Sequence, residues 1–88
     1  LHLAAAGGHD TTVRLLIEKG ANQEARDIVR QTPLHLAATN GHDSTVRVLV
    51  EIGTNKEVLD NRWWGPLHCA AANGQDTVVR LLVDIGAN

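Results

Sequence analysis

The sequence predicts an all-α solenoid, a stack of helix-turn-helix units joined by hairpin loops, and three observations predict it. First, the 88-residue chain repeats itself: Leu1 opens LHLAA, Leu34 opens LHLAA and Leu67 opens LHCAA, each 33 residues after the last. Second, each copy is followed by the same second clause, GHDTTVRLLIEKGAN from Gly8, GHDSTVRVLVEIGTN from Gly41 and GQDTVVRLLVDIGAN from Gly74. Third, within each unit the local signals spell two short helices and then a polar stretch. Self-similarity at such a period points to stacked repeats, each too thin to bury its own apolar face.

The middle unit shows the local logic best. Thr32 offers a side-chain oxygen to unpaired first-turn amides, and Pro33 suits the first helical position, where a missing N–H costs nothing. A helix therefore starts at Pro33 and runs about two turns, until Asn40-Gly41 supplies a left-handed residue. Asp43 is expected to cap a second helix whose Val46, Leu49 and Val50 share one buried face at i, i+3, i+4 spacing. Gly53 ends it. Residues 55–64 are too polar and irregular for a third helix and read as an exposed turn or hairpin.

The first unit repeats this with helices over 1–6, expected to fray, and 10–19, with Val13, Leu16 and Ile17 inward. The third has helices over about 66–73 and 76–85, with Gly65 in the capping place, where no side-chain oxygen is available. The organisation expected is one array over 1–88: a truncated first repeat over 1–31, a second over 32–64, and a third over 65–88, incomplete at its C-terminus. With no Met in the chain and Leu1 at the third position of the TPLH pattern, the sequence reads as an excerpt of a longer repeat protein. Alone, it is expected to be marginally stable.

The residues Thr32, Pro33, Leu34, His35, Leu36, Ala37 and Ala38 carry the T-P-L-H-x-A-A signature, and with the co-spaced GH, V-x-x-L-L and GAN motifs the whole chain resembles the ankyrin-repeat family. The resemblance implies an Asp closing each hairpin, here Asp27 and Asp60, with Gly three residues later. This chain has Arg30 and Trp63 there instead. A positive φ is costly for a residue with a Cβ, so a distorted or weakened turn is expected. For His2, His35 and His68 the resemblance implies a structural imidazole linking the Thr hydroxyl, where present, to a neighbouring repeat. Asn residues that some family members offer for hydroxylation are replaced by Glu24 and Glu57.

Composition fits. There is no Phe, Tyr or Met for a globular core, and Ala and Leu suit thin helices on like neighbours. A net charge of −2 and a pI near 6.2 leave no basic footprint for nucleic acid. No apolar run approaches the roughly 20 residues of a membrane span, and a single cysteine, Cys69, makes no internal disulfide, which suits an intracellular protein, cytoplasmic or nuclear. A monomer is expected.

Chemistry finds no foothold. His2, His35 and His68 are one position in three copies, about 10 Å apart at helix spacing, too far to share a zinc at about 2.0 Å per ligand. Cys69 and His68 are adjacent on a helix and diverge by about 100°, so the imidazole does not activate the thiol. Neither catalytic, cofactor-binding nor metal residues are expected, and no cofactor. The chain is expected to be a module that binds a protein partner through hairpin tips and first-helix faces. The positions where the copies differ, or that the resemblance turns toward partners, are Arg26, Ile28, Val29, Gln31, Thr39, Asn40, Leu59, Asn61, Arg62, Trp63, Trp64, Ala72 and Asn73. Of the two tryptophans, Trp63 is expected to fold its ring over the neighbouring hairpin and Trp64 to stay exposed as the anchor. The alternative function is a structural spacer in a longer array whose flanking domains carry the activity.

Overall fold

A computed structural model describes residues 1–86; Ala87 and Asn88, which end the third GAN motif, lie outside the described residues. Six helices follow in order: α1 (His2–Ala6), α2 (Asp10–Glu18), α3 (Pro33–Thr39), α4 (Asp43–Glu51), α5 (Pro66–Ala72) and α6 (Asp76–Asp84). The first helices of the pairs pack in one row, α1 on α3 on α5, and the second helices in another, α2 on α4 on α6. Each pair also packs internally, so two helical layers enclose one continuous core. Among the described residues there is no strand and no helix crosses Gly41 or Gly74.

The caps explain where the first helices begin. Thr32 is extended, with φ −92° and ψ 168°. Its hydroxyl lies 3.4 Å from the His35 N–H that donates to it, while its own N–H donates to His35 Nδ1 at 3.1 Å. Gly65 replaces Thr in the next copy and keeps only the second of these bonds, its N–H donating to His68 Nδ1 at 3.1 Å. The helix ends are glycine-made for two reasons. Gly41 adopts φ +74°, and a Cβ there would sit 2.3 Å from Gln75 Oε1 of the next repeat. The left-handed backbone makes glycine the low-strain choice, and the space beside it is taken by the flexible Gln75 side chain.

The second helices begin differently from expectation. Asp43 does not cap α4: His42 occupies the cap, without a side-chain bond, and Asp43 is already helical, its N–H donating to Gly41 O at 3.1 Å. The tight Gly41-His42 turn leaves no extended residue at position 43 from which a capping side chain could reach back. Asp10, Asp43 and Asp76 instead place negative charge in the first turns of α2, α4 and α6, favourable against the helix dipole. Asp10 has a further use, accepting hydrogen bonds from the Ser44 and Thr45 hydroxyls of the following repeat. Those two hydroxyls, Ser44 first, hold its carboxyl below the usual carboxylate value.

Stacking decides which side chains are buried. Val13, Val46 and Leu49 face the core as expected, with Leu16, Ile17 and Val50 half-buried around them. A further column, Leu15, Val48 and Leu81, was not anticipated: Leu15 is 50% exposed, whereas Val48 and Leu81 are buried at 5% and 9%. The three occupy one register, and the two buried members belong to helices that pack on a preceding helix. Together with Leu3, 88% exposed, Leu15 leaves the first face of the stack open.

The turns at Asp27 and Asp60 are alike and undistorted. Arg30 and Trp63 take φ +66° and +64°, the conformation a glycine would supply. The side-chain carboxylates hold them there: Asp27 Oδ1 accepts from the N–H of Val29 and Gln31, and Asp60 Oδ1 from that of Arg62 and Trp64. The expected distortion is absent because these bonds, with Arg30 N–H to Asp27 O and Trp63 N–H to Asp60 O, over-determine the turn. Strain is stored instead, at about 1 to 2 kcal/mol per residue. Arg30→Gly and Trp63→Gly are each expected to raise stability by about 1 kcal/mol in urea unfolding; a loss of stability from both would show that the side chains stabilise the turns.

Candidate protein-binding surface

The two hairpin loops lie side by side and are joined across the repeat boundary. Asn61 N–H donates to Val29 O at 3.0 Å, the Arg26 guanidinium donates to Leu59 O, and Gln23 Nε2 reaches Ile52 O at 3.1 Å. Glu24 accepts from the Asn55 N–H at 2.8 Å. The side chains along this edge therefore stand on a backbone fixed from both sides.

Beneath the second hairpin lies a buried polar knot. His35, wholly buried, donates from Nε2 to Trp64 O at 2.9 Å. Nδ1 accepts the Thr32 N–H, so the ring is the neutral Nε2–H tautomer. Burial, only partly offset by the bond to Trp64, pushes its pKa below the ordinary 6.5. His2 repeats the arrangement, with Nε2 3.0 Å from Gln31 O. The structural imidazole implied by the family resemblance is thus present, but its far partner is a backbone carbonyl at the end of its own repeat's hairpin, where the next repeat begins, and not a group of the neighbouring repeat.

Asp60 is the second member. Burial opposes its charge, yet Arg62, Gln31 and the two turn N–H groups overcome that and hold the carboxyl well below the usual range. Arg62 Nη2 lies 2.9 Å and Gln31 Nε2 3.1 Å from Asp60 Oδ2. The Arg62 guanidinium also covers the Trp64 ring, 3.9 Å from its centroid. Cys69 closes the knot, its thiol buried and its pKa raised by desolvation, with Gln31 and Arg62 nitrogens at 4.0 and 3.9 Å.

Ligand atoms of His35, Asp60 and Cys69 fall within 4.8 Å of one another, a juxtaposition that spacing of histidines alone did not reveal. Their chemistry is that of a hydrogen-bonded ion pair. Asp60 already holds a guanidinium, His35 Nε2 carries the proton it gives to Trp64 O, and the thiol is protonated. The bases near the Cys69 thiol are already engaged, His35 by the Trp64 carbonyl and the Thr32 N–H and Asp60 by Arg62, while His68 is exposed and accepts from Gly65.

The structure sorts the sequence-derived candidates into three groups. Arg26, Leu59, Asn61 and Trp63 line one groove of about 380 Å³ between the hairpins, with Arg30 and Asp60; Ile28 and Val29 are exposed on the same first hairpin. Thr39, Asn40, Ala72 and Asn73 lie at the far ends of α3 and α5, where Asn40 Nδ2 donates to Ala6 O and the Thr39 carbonyl accepts from Gln75. Gln31, Arg62 and Trp64 are engaged in the knot. The expected roles of the tryptophans are reversed. Trp63 is 78% exposed, whereas Trp64 is half-buried, because its carbonyl serves His35, its N–H serves Asp60 and its ring lies under Arg62. Arg30, absent from the sequence-derived candidates, also lines the groove between the hairpins; its sequence signal was the departure from Gly.

With this geometry in view, comparison with known proteins is decisive on one point. A family described as ankyrin repeats in three copies matches residues 1–88. The chain belongs to the ankyrin-repeat family. Ankyrin repeats are in general non-catalytic protein–protein interaction modules. The chain is also similar to a transient receptor potential cation channel subfamily A member 1 homolog from Caenorhabditis elegans, 50% identical over 34 residues. That match covers 39% of this chain and 3% of the channel homolog, so the chain spans only a small part of that relative. No helix among the described residues is long and apolar enough to cross a membrane.

The knot sets a pH dependence. Because folding depresses the His35 pKa, the unfolded chain binds the extra proton first, so this contribution is intact above about pH 6.5 and is lost as pH falls below it. Asp60, also depressed, adds a loss only below its ordinary 3.8. Unfolding free energy is expected to fall between pH 7 and 5; His35→Gln should be less stable at pH 7, by about 1 to 3 kcal/mol, and flatter across that interval. An unchanged slope in the variant would remove His35 from the account.

Proposed function

We propose that this ankyrin array is a protein-binding module whose contact surface is the hairpin edge, and that it performs no catalysis. One observation carries the reading: of the seven large hydrophobic side chains exposed among the described residues, four, Ile28, Val29, Leu59 and Trp63, lie on the two hairpins. The other three, Leu3, Leu15 and Val83, belong to helices α1, α2 and α6. A grouped apolar patch on fixed backbone is what a partner buries. Ile28 is 99% exposed and Trp63 78%, so no fold-stabilising role accounts for their size. Trp and Arg are the residues most enriched among binding hot spots.

The partner is a protein. A net charge of −2 disfavours nucleic acid, and a single buried thiol with no disulfide partner in the chain suits a monomeric module inside the cell, in the cytoplasm or nucleus, only in that it needs no covalent pairing. The spacer reading differs in a measurable way. A photo-cross-linking residue at position 28 is expected to capture a partner protein in cells, and one at position 80, an exposed site on α6, is not. For the captured protein, Trp63→Ala should weaken affinity by at least about 2 kcal/mol with melting unchanged. Trp64→Ala should lower the melting temperature instead. Absence of any adduct at position 28 would favour the spacer.

A further inference from the structure

The hairpin groove carries charge as well as apolar surface. Arg26 and Arg30 line one side, Leu59, Asn61 and Trp63 the other, and Asp60 lies at its buried floor. Asp60 is already neutralised by Arg62, whose guanidinium holds it at 2.9 Å. Neither Arg26 nor Arg30 forms an ion pair among the described residues, where the pairs are Arg14 with Glu51 and Arg62 with Asp60. Arg26 spends two nitrogens on the Arg30 and Leu59 carbonyls, which fixes its position without a carboxylate partner. The positive φ at Arg30 holds the base of its side chain on the outer turn. On a chain of net charge −2, the groove lining carries two guanidiniums that no carboxylate pairs, beside an indole and a leucine, and the Asp27 carboxylate, held by turn N–H groups, offsets one of the two charges.

We infer that the groove between the two hairpins recognises an acidic peptide segment of the partner, with carboxylates on Arg26 and Arg30 and an adjoining apolar side chain against Trp63 and Leu59. This inference rests on the hairpin-edge reading and adds the partner's chemistry. A planar guanidinium presents paired donors that match a carboxylate, and a fixed one loses less entropy on pairing. The volume, about 380 Å³, suits a few side chains and not a domain. Carboxylate is favoured over phosphate because the turns offer no nest of free amides. The N–H groups of Val29, Arg30, Gln31, Asn61, Arg62, Trp63 and Trp64 are all bonded within the hairpins. The donors that line the groove are therefore side chains: the two guanidiniums, the Asn61 amide and the Trp63 indole N–H.

The strained turns make a clean experiment possible. Arg30→Gly removes the charge and Trp63→Gly removes the indole, and both relieve a positive φ, so neither is expected to unfold the chain. The probe is a fluorescein-labelled twelve-residue peptide of alternating Glu and Leu, read by polarisation with the 88-residue chain; controls replace Glu by Gln, by Lys, or by phosphoserine alternating with Leu. The Glu peptide is expected to bind, to weaken at least tenfold on raising salt from 50 to 300 mM, and to weaken at least tenfold with Arg30→Gly and with Trp63→Gly. Gln and Lys peptides should bind at least tenfold more weakly than the Glu peptide. Equal binding of the Gln peptide, or Glu-peptide binding indifferent to Arg30→Gly, would overturn the acidic assignment. Binding of the phosphoserine peptide alone would overturn it in favour of phosphate. If a partner cross-linked at position 28 depends on Trp63 but not on Arg30 or salt, the acidic assignment fails while the hairpin-edge module stands.

Discussion

The hydrogen bond from His35 Nε2 to the Trp64 carbonyl is the joint on which the rest of this structure depends. It runs from the first helix of one repeat, where the same ring completes the Thr32 cap, to the end of the following hairpin. A helix of seven residues is too short to persist alone in water. Its stability comes from neighbours, so a side chain that both starts the helix and reaches the next turn couples local folding to stacking. Removing it takes one of two hydrogen bonds from the Trp64 carbonyl, which keeps only the Asp60 N–H at 2.8 Å, and uncouples the helix from the turn. Because the ring is buried and neutral, the joint holds without the desolvation cost of a charge.

From that joint the functional surface follows. With its carbonyl tied to His35 and its N–H to Asp60, Trp64 is fixed, and Arg62 closes over its ring while pairing with Asp60. The turn before it is then forced through a left-handed residue, and that residue is Trp63, whose indole projects to solvent. One hairpin earlier, Asp27 forces Arg30 through the same conformation. Strain at a position usually filled by Gly thus coincides with the side chains that form the groove.

The sequence made the architecture readable because every repeat carries its own punctuation: Thr32-Pro33, Asn40-Gly41 and Gly53 delimit helices by local chemistry alone. The 33-residue period then told how the units associate. What stayed hidden depends on contacts between repeats. Nothing local distinguishes Leu15 from Val48 or Leu81, which differ only in whether a helix packs against them. Asp43 looked like a cap because residue type and spacing suit one, and only the Gly41-His42 turn shows that the helix has already begun. The two tryptophans are neighbours of one type, and the difference between them lies in bonds made by the backbone of Trp64. Arg30 illustrates the same limit: as a departure from Gly it was visible, whereas its place opposite Trp63 in one groove required both hairpins in space.

The most direct test of the account is the protonation state of the His35 ring, read from long-range proton–nitrogen correlation spectra of the 88-residue chain at pH 7. A hydrogen-bonded joint to Trp64 requires one tautomer, with the proton on Nε2, Nδ1 bare, and slow exchange of that proton with water. A ring protonated on Nδ1, or one averaging rapidly between tautomers, would mean that the first helix and the following hairpin are not joined through His35.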